Sequence, residues 1–243
     1  MADLLDLVIE AHGGLAPWRN AVSISAAVDM RGEFWAVKGQ SDLVGGWKSV
    51  TADLSRQHIT ITPFGEDRSV VFDAVADRVR IVDKGGTLVD ELAAPRAGMA
   101  GYAVDTRWSP AQTGYFISYA LWLYLLEPFL LTLPGITTRE VETWSEDEET
   151  WRRLEVAFPD GLASHSPTHT YYFDTETGLQ RRVDYAPVVN GSPPSAHYTD
   201  EHRAFGGIVV PTRRRVLRRH LDNTAVHATP HILIDVEDVR LNP

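Results

Sequence analysis

The chain has 243 residues, 44% hydrophobic and 23% charged, enough to bury a sizeable core in one large domain or two small ones. Its formal net charge of −10 argues against general nucleic-acid binding, which needs a basic footprint. The absence of cysteine excludes disulfides, thiolate metal sites and cysteine nucleophiles.

The first predicted element is an amphipathic helix carrying Leu4, Leu5, Val8 and Ile9, with Asp3 and Asp6 in its first turn and Gly13-Gly14 as its stop. The stretch Met1–Gly14 has no basic n-region and no long apolar core. It is not read as a secretory signal, and the chain is expected in the cytoplasm. Pro17-Trp18 begins a second short turn of helix. From Ser23 the pattern becomes alternating, with Ile24, Ala26, Val28 and Met30 on one face. Further strands are expected at about Phe34–Gly39, Gly46–Asp53, His58–Pro63, Arg68–Asp73 and Asp77–Asp83. Phe64–Asp67 and Gly85-Gly86 read as turns. The Ala/Gly/Pro-rich stretch after Leu92 reads as a loop or irregular helix.

The most distinctive stretch is Trp108–Gly135. Ser109 suits the N-cap, Pro110 the first helical position, and Gln112 completes a capping box. Pro128 is expected to kink or end the helix near Leu125. The apolar run Tyr115–Leu126, broken only by Ser118, is too short for a bilayer span of about 20 residues, so no transmembrane segment is expected. Between Trp108 and Thr138 the only charge is Glu127. On a helical wheel, Tyr115, Tyr119, Trp122 and Leu126 share one side, while Ile117, Ala120, Leu121 and Tyr124 share the other. A helix apolar all round is covered on both faces. The side rich in Tyr and Trp is the expected wall of a cavity.

Beyond Gly135, strands are expected at Arg139–Trp144, Thr150–Phe158, Thr168–Asp174, Gln180–Tyr185, Ala196–Phe205, Ile208–His220 and about His231–Leu241. The acidic tip Glu146–Glu149 reads as a solvated hairpin turn. The pattern predicts a mainly antiparallel β fold, residues 1–243 forming one open half-barrel of about eleven strands. The hydrophobic helical insert then lids or plugs the concave face.

Several segments carry a family likeness: AHGGLAPW at Ala11–Trp18, WSP at Trp108–Pro110, GYFISYALWLYLLEPFLLTLPG at Gly114–Gly135 and YYFDTETGLQRRVDY at Tyr171–Tyr185. AHYTDEHRAFGGIVVPTRRRV at Ala196–Val216 and IDVEDVRL at Ile234–Leu241 complete the set. Element order and these segments resemble the lipoprotein-carrier fold of LolA and LolB, and a bacterial family within it. The resemblance implies an open antiparallel half-barrel whose helices cover a hydrophobic cavity. None of the segments is a catalytic signature.

Of nine histidines, six lie between His165 and His227, without an HxH pair or HExxH motif, and no metal site is expected. Asp184-Tyr185 and His197-Tyr198 sit in strands joined by one loop, and Asp184, Tyr185 and His197 are the candidates for acid–base chemistry. Tyr115, Tyr119, Trp122, Leu126, Tyr198 and Arg214 are the candidate ligand-binding residues, Arg214 offering a fork for an anion. The remaining arginines of Thr212–Arg219 are expected to pair with carboxylates or face solvent. No phosphate-binding or nucleophile motif is present, and no cofactor is expected. The reading is a binding protein for an apolar or amphipathic small molecule or lipid, held between curved sheet and helix. The alternative is a small-molecule biosynthetic enzyme using the same cavity. A protein with a filled interior is the third possibility.

Overall fold

The computed structural model describes residues 3–227 and 229–243. Helices α1 (Leu4–Ala11) and α2 (Leu15–Arg19) precede strand β1 (Ser23–Arg31), and α3 (Phe34–Lys38) and α4 (Ser41–Val44) follow it. Strands β2 (Lys48–Asp53), β3 (His58–Thr62), β4 (Arg68–Asp73), β5 (Arg78–Asp83) and β6 (Leu88–Ala93) come next. The long helix α5 (Pro110–Leu126) separates them from β7 (Thr137–Glu146), β8 (Glu149–Ala157), β9 (Thr168–Asp174), β10 (Gln180–Tyr185), β11 (Ser195–Phe205), β12 (Ile208–Arg218) and β13 (Ile232–Asn242). Among the described residues, no helix is long and apolar enough to cross a membrane.

All thirteen strands form one antiparallel sheet, in the order β6-β5-β4-β3-β2-β1-β13-β12-β11-β10-β9-β8-β7. The chain meanders outward from β1 to one edge, crosses over, and meanders inward from the other edge until β13 pairs with β1. This topology dictates the place of α5. It belongs to the only connection between the two edges, so it must cross one face of the sheet. An apolar helix crosses on the face whose strands also point apolar residues inward.

Those strands do so by simple alternation. Ile24 and Val28 of β1, Val50 and Ala52 of β2, Ile59 and Ile61 of β3, Val70 and Phe72 of β4, and Val79 and Ile81 of β5 are all buried. Helix α5 lies over β3 to β6. It comes closest at Gly114, where an added Cβ would sit 3.1 Å from Val70 Cγ1 and 3.4 Å from Val79 Cγ1. The expected cap is present: Gln112 N donates to Ser109 Oγ and Ser109 N to Gln112 Oε1. After Leu126 the chain turns at Pro128, and Phe129 stacks on Trp18 of α2 at 4.6 Å.

One expectation needs correction, and one strand was missed. Phe34–Gly39 is helical, not a strand; Gly39 takes the left-handed conformation that closes a helix, at φ 74°. A run of four apolar residues, Phe34–Val37, fits either period, so alternation alone misassigns it. Strand β6, at an exposed edge, lacks the buried alternation that marks its neighbours and was not anticipated.

Gly114→Leu should overpack the helix–sheet contact and lower stability by roughly 1–3 kcal/mol. Urea denaturation checks this, with Gly114→Ala expected to show the smaller loss.

Candidate functional site

The end of α5 brings the lone acid of the apolar stretch into the interior. Glu127, directly after the last helical residue, is buried together with Arg214 of β12, and Arg214 Nη1 donates to Glu127 Oε2 at 2.8 Å. Arg214 Nη2 donates to the Tyr124 carbonyl at 2.6 Å. That oxygen belongs to the last turn, where carbonyls have no intrahelical partner and the helix dipole is negative. Tyr171 Oη donates to Glu127 Oε1 at 3.1 Å and Gln180 Nε2 to Oε2 at 3.0 Å. Every charge taken out of water here has several hydrogen bonds, as a buried pair requires.

Beside this pair runs a chain of phenols and imidazoles. Tyr119 Oη lies 3.2 Å from His165 Nδ1, and Tyr124 Oη 2.7 Å from His165 Nε2. Tyr124 and Tyr185 hydroxyls are 2.9 Å apart, and Tyr185 Oη is 3.2 Å from His197 Nδ1. The chain can run in either direction, set by the tautomers of the two histidines, and each direction leaves one terminal proton unpaired, at His197 Nε2 or at the Tyr119 hydroxyl. His165 sits in the β8–β9 loop, pinned across the hollow by Gln57, which exchanges two hydrogen bonds with the Ala163 backbone at 2.6 and 2.7 Å. Arg96 adds a bond to the Ser164 carbonyl.

Burial holds all these groups neutral. It pushes His165 and His197 well below the ordinary histidine value; neighbouring His169 lowers both further, as does Arg214 in the case of His197. His169 is lowered to about 3 and His12 to about 4, mainly by burial. The phenols of Tyr119, Tyr124 and Tyr185 are pushed up by the same loss of water. Both nitrogens of His169, His197 Nε2 and Ser118 Oγ find no hydrogen-bond partner among the described residues.

Open space lies at one mouth of the half-barrel. A cavity of about 460 Å³ is walled by Phe34 and Val37 of α3, Val104 of the strap before α5, Pro187, Pro193 and Pro194 of the β10–β11 loop, and Val216 and Ile232. Phe116 and Tyr185 form its inner end, while Glu33, Arg218 and His231 stand among its polar lining. Lys38 ties three of these walls together. Its buried ammonium donates to Val104 O at 2.6 Å, to Thr106 O at 3.2 Å and to Asn190 Oδ1 at 2.5 Å, over the Trp108 ring. Burial lowers it to about 8, with Asp105 opposing.

Tyr115, Tyr119, Trp122 and Leu126, the expected wall of a cavity, are not among the residues that line the mouth cavity. Tyr115 meets Phe72 edge-on at 5.3 Å, and Trp122 Nε1 donates to the carbonyls of Asp53 and Arg56. Leu126 is wholly buried. The opposite side, with Phe116 and Tyr124, looks across the hollow, and Tyr119 reaches it through its hydroxyl. Of the acid–base candidates, Tyr185 and His197 meet, but Asp184 does not join them. Adjacent strand residues face opposite ways, so Asp184 and Tyr198 lie on the outer face. There Asp184 binds Arg182 Nε at 2.6 Å and accepts from Tyr172 at 2.8 Å. Tyr198 donates to Glu146. Arg214, expected to hold a ligand anion, holds Glu127 instead. Phe34, Val37, Tyr124, His165 and Lys38 were not anticipated. Glu127 was a legible signal, since one carboxylate amid apolar residues demands a buried cation.

No family model matches the chain, and no curated protein shows significant similarity. Solved structures do. A LolA superfamily protein from Nitrosomonas europaea matches at TM-score 0.55 and 10% identity, covering 100% of this chain and 95% of that one. A DUF1329 family protein from Desulfovibrio piger matches at TM-score 0.54 and 10% identity, covering 98% of this chain and 91% of that one. The chain therefore has a LolA-like fold.

Arg214→Met leaves Glu127 buried without its cation and should cost about 3–5 kcal/mol, measured by urea denaturation. The buried imidazoles make stability depend on pH. The unfolded chain binds protons that the folded chain refuses, so stability is fully present above about pH 6.5 and falls below it. For His12 the loss continues to about pH 4, and for His169 to about pH 3. His169→Leu, which removes two unpaired nitrogens, should be at least as stable at pH 7 and more stable than the parent at pH 5.

Proposed function

We propose that this protein binds an apolar or amphipathic small molecule or a lipid, seated in the mouth cavity and not beneath the central helix. The observation that carries this reading is the cavity itself. Its size falls within the roughly 300–1,000 Å³ typical of ligand pockets, and mostly apolar walls around a few placed polar groups are the usual composition. The interior beyond Tyr185 is closed by packed phenols and imidazoles, so the ligand stops there. The LolA-like fold agrees with the hydrophobic cavity that the sequence resemblance implies, although fold alone does not fix function.

A second reading, an enzyme, draws on Tyr185 at the inner end of the cavity and the contact of its hydroxyl with His197. The direction of both shifts weighs against it. A phenol pushed up and an imidazole pushed down are a weaker acid and a weaker base than the free side chains. Tyr185 is better suited to orient a ligand than to exchange a proton with it.

Val104→Trp, at a half-exposed wall, should fill the cavity and lower the affinity for a fluorescent alkyl probe by at least tenfold, with the thermal midpoint unchanged. Trp122→Ala should cost roughly 3–5 kcal/mol of stability yet retain most of the binding. Native mass spectrometry after gentle purification should show a co-purifying small molecule that Val104→Trp lacks. Equal binding by Val104→Trp and the parent would contradict the proposal. If His197→Ala abolished turnover of an identified substrate while keeping its affinity, the enzyme reading would replace it.

A further inference from the structure

The run Thr212–Arg219 holds five arginines, and four of them are matched to carboxylates. Arg213 lies 2.7 Å from Glu201, Arg214 2.8 Å from Glu127, Arg215 2.8 Å from Asp200, and Arg219 3.4 Å from Asp184. Arg218 differs. Among the described residues it has no carboxylate partner, and its one side-chain hydrogen bond runs from Nε to His231 Nε2 at 3.1 Å. His231 Nδ1 lies 3.2 Å from Glu33 Oε1. A neutral imidazole with its proton on Nδ1 satisfies both contacts, accepting from Arg218 and donating to Glu33. Glu33, His231 and Arg218 all line the mouth cavity.

This chain of contacts orients one guanidinium at the opening of an apolar space. Its two terminal nitrogens make no hydrogen bond among the described residues, and a guanidinium fork matches a carboxylate or phosphate in two parallel bonds. Glu33 is the only carboxylate in the lining; its side chain is 63% exposed, and it already accepts from His231. Solvent therefore screens its charge, and the imidazole occupies one of its oxygens.

We propose that Arg218 receives the anionic head group of an amphipathic ligand whose apolar part fills the mouth cavity, with His231 and Glu33 positioning the guanidinium. This inference rests on the cavity being the binding site. It narrows the ligand to acids, such as a single-chain carboxylate or phosphate monoester, over alcohols, esters and amines.

Three probes sharing one chain decide it: dansyl-labelled undecanoic acid, the corresponding alcohol and the corresponding amine, each titrated by fluorescence. The acid should bind the parent about tenfold more tightly than the alcohol, as a charged hydrogen bond implies. Arg218→Gln should remove that advantage and leave the alcohol's affinity unchanged. Arg218 is exposed at a strand end, so the variant should keep the parent's near-ultraviolet circular dichroism. Inorganic phosphate, added as a competitor, should not displace the acid at millimolar concentration, because it lacks the apolar part. Equal affinity of acid and alcohol for the parent would overturn the assignment while leaving the cavity reading intact. So would tightest binding of the amine, which would point to Glu33. Displacement by inorganic phosphate alone would show an anion site independent of the cavity and would overturn the amphipathic ligand. If none of the probes binds, the cavity reading falls, and this inference with it.

Discussion

A carboxylate and a guanidinium, both removed from water, tie the end of the central helix to β12, near the middle of the sheet. Glu127 and Arg214 come from segments 87 positions apart. Neither tolerates burial alone, so the helix end and β12 must meet at that point. With the helix end held there and its start closely packed on β4 and β5 at Gly114, the hollow is divided. The part next to the helix fills with Tyr119, Tyr124, Tyr171, Tyr185, His165 and His197. The mouth between α3, the strap and the β10–β11 loop remains open. The mouth cavity is thus what the clamp and its polar surroundings leave over.

That filled part is polar but uncharged. Phenols and neutral imidazoles bridge one another within hydrogen-bond distance, which allows donors and acceptors to be buried without isolated charges. Both nitrogens of His169, His197 Nε2 and Ser118 Oγ are exceptions among the described residues, and the buried imidazoles make this region sensitive to acid. The outer face uses a different device. Arg182 is fully buried there against Asp184, Glu146 and the rings of Tyr172 and Tyr198, so charge and aromatic surface cover that side of β10 and β11.

Much of the fold was legible in the sequence because it rests on local rules. The cap at Ser109, the stop at Pro128, and the strand alternation from Ile24 through Ile81 depend on neighbours in the chain. An open antiparallel half-barrel followed from them. The candidate site was less legible because it depends on which strand faces which. Asp184 and Tyr185 look like one cluster in sequence, yet the two-residue period of a strand sends them to opposite faces. The side of α5 that meets the sheet is likewise not decided by hydrophobicity, since both sides are apolar. Gly114 marks the side of closest approach, but a glycine in a helix has that meaning only once its neighbour is known. His165, Lys38 and Asn190 act through loops whose paths have no periodic signal.

The proposed seat of the ligand is the mouth cavity. Photo-crosslinking with a diazirine-bearing alkyl carboxylate, followed by peptide mapping, tests it directly. Labels are predicted on Phe34–Val37, on Val104, and on Pro187–Pro194, the walls of the mouth. Labels concentrated on Tyr115, Trp122 or Leu126, or on the outer face at Trp151 and Tyr198, would contradict it.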